Sequence, residues 1–191
     1  MSRGDYLWMK WRAIALLVLG RKAAALSLFD QMGRHWPDDR YVLASRSHLL
    51  AEAGRTDEAL EVSAHLVDKH PSHARLWFNR GFLLEAAQRD DEAITAFRRA
   101  VEIEPKLDRA WYGMALALIR QQRLEEAVAA LKRNTELQPM SPYGWYQLAR
   151  VHVDRQQPAE ALKVIKHLKG FEPKVAAQLE RETGLSVPKA S

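Results

Sequence analysis

An all-α solenoid of helix-turn-helix repeats is the fold class this sequence predicts, and three observations predict it. Prolines stand at 37, 71, 105, 139 and 173, and every gap is 34 residues. Twelve residues before each proline comes Ala25, Ala59, Ala93, Ala127 and Ala161; twenty-four before comes Ala13, Ser47, Gly81, Ala115 and Ala149. Larger residues keep the same period, with Met9, Leu43, Trp77, Trp111 and Trp145 twenty-eight before, and Phe29, Ser63, Phe97, Leu131 and Ile165 eight before. A fixed period of this length marks a repeat array in which each unit buries its apolar face against its neighbours.

Taken in order, the elements follow from these columns. The first helix, "DYLWMKWRAIALLVLG", carries the packing residues Met9, Ala13 and Leu16. Its uncharged run, Ala13 to Leu19, is far short of the ~20 residues a membrane span needs, and Arg21 and Lys22 close it without a convincing cleavage site. Within the central unit, Trp77, Gly81 and Leu84 share one helical face, as do Ala93, Phe97 and Ala100 on the next helix. The small residues let two backbones approach, and the large ones fill the space between. Helices break at "AGRTDEA" (53–59), "AQRDDEA" (87–93) and "RQQPAEA" (155–161). Asp57, Glu58, Asp90, Asp91 and Glu92 then place negative charge at helix N-termini, and Pro158 suits a first helical position. Each period-34 proline stops a second helix, with Asp38 or Asp39, Ser72 and Ser141 as the expected N-caps of the helices that follow. "KVAAQLERETG" (174–184) is expected to cap the last unit, with Val175 and Leu179 facing it and Gly184 ending it; 185–191 reads as a flexible tail.

Composition narrows the function. The chain has 191 residues, 47% of them hydrophobic, and no cysteine, so disulfide, thiolate-metal and cysteine-nucleophile chemistry are excluded. A net charge of +5 is split between the two ends and forms no single basic face, which argues against a dedicated nucleic-acid binder. His70 and His73 ("HPSH") straddle a unit boundary with no further ligand in register, so no metal site and no cofactor are expected. There is no G-x-S-x-G and no phosphate-cradling glycine loop. Acidic pairs such as Glu125/Glu126 are explained as helix starts. No catalytic residue is assigned, and the chain reads as a non-enzyme whose function lies on a surface.

These columns resemble the tetratricopeptide repeat family over nearly the whole chain, in five units: 6–39, 40–73, 74–107, 108–141 and 142–175. The third unit is nearest the family pattern, with Trp77, Gly81, Leu84, Ala93, Phe97, Ala100 and Pro105 in register. Departures are Arg12, Arg46 and Arg80 where leucine is common, Ser63 for an aromatic and Asn134 for alanine. The resemblance implies ten helices in antiparallel pairs plus the cap, wound as a right-handed superhelix in a single array over 1–184. It also implies a concave groove lined by the first helix of each unit. Carried onto this sequence, that groove holds Lys10, Trp11 and Ile14; Tyr41, Ser45 and His48; Arg75, Phe78, Asn79, Phe82 and Glu85; Arg109, Tyr112, Leu116 and Arg120; and Tyr143, Tyr146, Gln147 and Arg150. Phe82 and Leu116 are the two most readily explained as packing between units. Repeated tyrosines and arginines are residues that interfaces favour. Of five positions with which some relatives hold a chaperone's C-terminal carboxylate, Asn79 and Arg109 match, but Ala44, His48 and Gly113 do not.

The function expected is therefore a protein-protein interaction scaffold or adaptor, cytoplasmic, holding a partner peptide or helix in an aromatic and basic groove. The alternative is an accessory subunit or assembly factor docked onto a larger complex; RNA binding is a third and weaker reading. The first helix supplies the alternative's surface, because Leu7, Trp8, Trp11, Ile14, Leu17 and Val18 fall outside its packing columns. So large an apolar patch marks a contact site, for a second copy, a partner subunit or, less favoured, a membrane surface.

Overall fold

A computed structural model describes residues 2–186, and they form eleven helices and no strand. Their contacts group into two compact units, Met1–Arg89 and Asp90–Ser191. The first unit holds α1 (Arg3–Val18), α2 (Lys22–His35), α3 (Arg40–Glu52), α4 (Thr56–Lys69) and α5 (Ala74–Ala86). The second holds α6 (Asp90–Ile103), α7 (Asp108–Arg120), α8 (Leu124–Leu137), α9 (Pro142–Asp154), α10 (Pro158–Lys169) and α11 (Pro173–Thr183). Within each unit every helix packs on the next in sequence, and α11 closes the second by packing on α9 and α10. The tail expected over 185–191 falls beyond the described residues from 187 onward.

The small-residue column forms the spine of the packing. Ala25, Ala59, Ala93, Ala127 and Ala161 are all 0% exposed. In the first unit, Met9, Phe29, Met32, Val42 and Leu50 close around Ala13, Ala25 and Ala59. In the second, α7 approaches α6 so closely that a Cβ on Gly113 would lie 2.7 Å from Cζ of Phe97, a ring with no exposed surface. At the α8–α9 contact a Cβ on Gly144 would lie 2.2 Å from Oδ1 of Asn134. Asn134 is itself buried, and its Nδ2 donates to the Asp108 carbonyl at 3.0 Å.

The boundary prolines do more than stop helices. The indole N–H of Trp77, Trp111 and Trp145 donates to the carbonyl of Pro71, Pro105 and Pro139 at 2.9, 2.9 and 2.8 Å. Each bond ties the start of a first helix to the turn before it and contributes about 1 kcal/mol. The expected caps fare unevenly. Asp39 accepts from the Val42 N–H at 2.9 Å, but Ser141 makes no side-chain cap bond. The N-cap of α5 is His73 rather than Ser72, because the cap falls two residues after the proline, as it does at Asp39, Leu107 and Ser141. On α11 the fully buried pair is Ala176 and Leu179; Val175, expected to face inward, is half-buried one residue round the helix. Gly184, at φ 71°, ends that helix in the left-handed conformation.

The turn inside each hairpin repeats a backbone requirement. Gly20, Gly54, Gln88, Gln122 and Gln156 all have positive φ, between 56° and 74°, and they too stand 34 residues apart. Glycine takes this conformation freely, whereas an L side chain costs roughly 1–2 kcal/mol there. Changing Gln156 to Gly should therefore raise stability by about 0.5–1 kcal/mol, after allowing for the extra chain entropy of glycine. Changing Gly54 to Ala should lower it by about 1 kcal/mol. Chemical denaturation of the two variants checks both signs.

Tyr6 of α1 reaches α3, where its hydroxyl donates to the Asp39 carboxylate at 3.2 Å while its ring stands edge-on to Trp36 at 5.0 Å. Burial, aided by the Asp39 charge, raises its pKa from 10.0 to about 12. A raised folded-state pKa gives stability that is complete below the unfolded value and lost as pH climbs through the folded one. The α1–α3 tie should thus weaken between pH 10 and about 12. Thermal unfolding across that range should show a smaller loss for Tyr6→Phe than for wild type.

Candidate partner-binding surfaces

A cleft of about 540 Å³ lies in the first unit, between α3 and α5. Ala44, His48, Ala51 and Glu52 line it from α3; Leu76, Phe78, Asn79, Phe82, Leu83 and Ala86 line it from α5. Its floor is Ser47, Ser63, Leu66 and Arg80. Four residues placed in the groove on family grounds, His48, Phe78, Asn79 and Phe82, meet here. Phe82 is 61% exposed at the cleft, so it does not pack between helices. Leu116, its counterpart in the second unit, is half-buried.

The cleft follows from two departures in the repeat pattern. Ser63 stands in the column that holds Phe29, Phe97, Leu131 and Ile165, and it leaves the space of a ring unfilled. Arg80 enters from α5, and its Nη1 donates to the Leu60 carbonyl and to Ser63 Oγ, each at 3.0 Å. Ser63 Oγ donates in turn to the Leu60 carbonyl at 2.9 Å. A guanidinium is a flat group that can replace a ring, provided its N–H groups find acceptors. The floor is therefore largely polar, and the walls mix alanine, leucine and phenylalanine side chains with His48, Glu52 and Asn79.

The other arginines of that column find different partners. Arg46 Nε donates to Asp30 Oδ1 at 2.9 Å, and Gly33 beside it leaves room for the guanidinium. Arg12 lies over the Trp8 ring at 5.2 Å.

Elsewhere the expected groove residues divide between exposed and engaged. Lys10 stacks on Tyr41 at 4.5 Å, and the Tyr41 ring meets Phe29 edge-on. His48 Nε2 approaches Glu52 at 3.6 Å; Glu52 also accepts from Lys22 at 2.8 Å, a bond that holds its carboxyl below the usual range. Arg75 and Asn79 are exposed. In the second unit Arg109 and Tyr143 are exposed and Tyr112 is half-buried. Arg120 is bound by Nε and Nη2 to Asp90 at the start of α6, at 3.0 and 2.8 Å. Tyr146 donates to Glu182 of α11 at 2.6 Å, and Arg150 reaches both Tyr146 (3.4 Å) and Glu182 (3.6 Å). The Tyr146 bond lowers the Glu182 pKa and raises that of Arg150. Tyr146, Arg120 and Arg150 thus hold helices together as well as facing solvent. Sequence reasoning could not find these bonds, since they span 36, 30 and 32 residues.

On α1, Trp8 and Trp11 are 61% and 67% exposed, and Leu7 and Val18 are exposed with them. Ile14 is half-buried, whereas Leu17 packs against the core with Leu16. Leu17 therefore leaves the outer face expected of it, because it lies on the same side of the helix as Met9 and Ala13. Leu19, not singled out from sequence, is exposed beside Val18.

His70 and His73 turn towards α3, His70 bonding the Asp38 carbonyl at 3.0 Å and His73 the Arg40 guanidinium. Among the described residues, no three His, Asp or Glu side chains converge as metal ligands. No helix of those residues is long and apolar enough to cross a membrane.

Comparison with known proteins adds the fold's relatives. Two sequence models of the tetratricopeptide repeat match, over 45–108 and 84–146. A MamA protein carrying a double mutation, from strain RS-1, is 21% identical, covers 95% of this chain and 97% of its own, and superposes with a TM-score of 0.79. MamA from residue 41 onward, of Desulfovibrio magneticus RS-1, is 22% identical over 97% of this chain and 99% of its own, with a TM-score of 0.78. YrrB, described as a TPR protein with an unusual peptide-binding site, is 16% identical over 88% of each chain, with a TM-score of 0.77. No curated protein matches the sequence.

The pairing of Ser63 with Arg80 yields a measurable coupling. In a double-mutant cycle with Ser63→Ala and Arg80→Met, the two residues should show an interaction energy of about 1–2 kcal/mol. Urea denaturation of the four proteins measures it.

Proposed function

Because the chain belongs to the tetratricopeptide repeat family, whose fold serves as a protein-interaction scaffold, we propose that it is a non-enzymatic, cytoplasmic adaptor that holds a partner's peptide in the cleft between α3 and α5. The observation that carries this reading is the exposed Phe82 beside Phe78 on one wall, facing an α3 wall of alanines across a polar floor. An apolar recess with a few fixed polar groups is the usual form of a recognition site. Alanines at 44 and 51 leave room that larger residues would fill, so the cleft accepts one large apolar or aromatic anchor side chain. His48, Asn79 and Glu52 at its rim can bond the peptide's backbone. Arg75 is the exposed groove arginine on α5 that would favour an acidic residue flanking the anchor.

A random peptide library displayed on phage tests this directly. Selection should enrich sequences sharing an aromatic or large aliphatic anchor. Truncating Phe78 and Phe82 together to alanine should weaken the selected peptides by at least tenfold, the loss of about 1.4 kcal/mol or more expected of two central anchors. Phe82→Ala alone should also weaken the peptides while leaving the melting temperature nearly unchanged, since Phe82 is mostly exposed. Peptides that bind the double variant as tightly as wild type would place the site elsewhere.

A further inference from the structure

We propose that the outer face of α1 is a docking surface for an anionic lipid bilayer, on which this helix lies flat in the headgroup region. The inference stands apart from the peptide cleft and does not depend on it.

α1 has two apolar faces. Met9, Ala13 and Leu16 point into the first unit, whereas Leu7, Trp8, Trp11, Val18 and Leu19 form an exposed stripe on the other side. At 3.6 residues per turn, Arg12 borders that stripe along one edge, and Arg3 and Lys10 border it along the other. Arg21 follows at the C-terminal end, exposed. Indoles and aliphatic side chains flanked by arginine and lysine are what an interfacial helix requires: the apolar stripe enters the acyl boundary, the tryptophans sit at headgroup depth, and the cations reach the phosphates.

Charge favours an anionic surface over a neutral one. Residues 1–22 hold five basic side chains against one acidic, Asp5. Asp5 is occupied in a capping box, where it accepts from the Ser2 N–H at 2.7 Å and receives the Ser2 hydroxyl as partner of its own N–H at 3.2 Å. Arg12 over the Trp8 ring keeps a cation beside the indole that would enter the interface.

The repeat geometry argues against the obvious rival, a second copy stacked end to end. The positions equivalent to Trp8 are Val42, Leu76, Ala110 and Gly144, and those equivalent to Trp11 are Ser45, Asn79, Gly113 and Gln147, so no other first helix carries an indole at either. At both glycines a single added Cβ would collide with the preceding helix. The indoles of Trp8 and Trp11 stand where α7 presents only Ala110 and Gly113 to α6, so the close contact made there is not open to them.

Co-sedimentation of the full chain with phosphatidylcholine vesicles, with and without phosphatidylglycerol, tests the proposal. Wild type should bind the anionic vesicles at least tenfold more tightly than the neutral ones, and added salt should weaken that binding. Replacing Trp8 and Trp11 with serine should abolish it while leaving the far-ultraviolet dichroism unchanged. Replacing Arg3, Arg12 and Arg21 with glutamine should weaken it by on the order of a hundredfold, roughly fivefold per charge. Equal sedimentation with both vesicle types, or none with either, would overturn the proposal. So would a concentration-dependent dimer, seen by analytical ultracentrifugation, that the tryptophan changes dissolve, since the stripe would then belong to a second copy.

Discussion

Close approach of helix backbones is the constraint on which everything else rests. Helices can come near only where neither contributes bulk, and the five alanines of the spine, all with no exposed surface, meet that condition once per repeat. The approach sets how far apart the large residues can stand, and so what fills the gaps: Phe97 against Gly113 in the second unit, Phe29 and Met32 around Ala13 and Ala25 in the first. It also explains why the local signals are so regular. A turn of fixed length must return the chain to the same depth each time, which demands a left-handed residue at one position and a proline at another.

The same constraint makes the cleft intelligible. Interiors are close-packed, so removing a ring from one column must leave a void, bring in a substitute or draw the helices together. At Ser63 a guanidinium substitutes, and it fills the column only in part because it must keep its acceptors on the Leu60 carbonyl and the serine hydroxyl. The remaining space opens between the first helices α3 and α5.

Much of this was legible in the sequence, and what was not has a common cause. Period, spine and helix breaks are local or strictly repeated, so proline and alanine columns reveal them. The glutamines at 88, 122 and 156 occupy a left-handed position that glycines announce at 20 and 54; the period contained the clue, but glutamine carries no such preference of its own. The tryptophan-to-proline bonds are not announced by either column, because packing accounts for the tryptophans and helix termination for the prolines. Side-chain bonds over about thirty residues, such as Tyr146 with Glu182, depend on rotamers and on neighbouring helices, which no single column encodes. The inward turn of Leu17 is a matter of one helical position at the edge of a face.

Five similar hairpins pose a sorting problem: what keeps the third from settling where the second belongs? The residues that depart from the common pattern supply an answer, for each fits one neighbour and no other. If α5 stacked on α2 instead of α4, Arg80 would meet the ring of Phe29 rather than the hydroxyl of Ser63. Arg46 is matched to Asp30 and to the room beside Gly33. Asn134 is matched to the bare backbone at Gly144, and a helix presenting Ala110 there would press a methyl against its amide. Each mismatch would bury an unpaired polar group or a clash, a penalty that a uniform array of ideal repeats could not impose. The irregularities act as address labels, and they make the order of the repeats a property of the folded chain as well as of its covalent sequence.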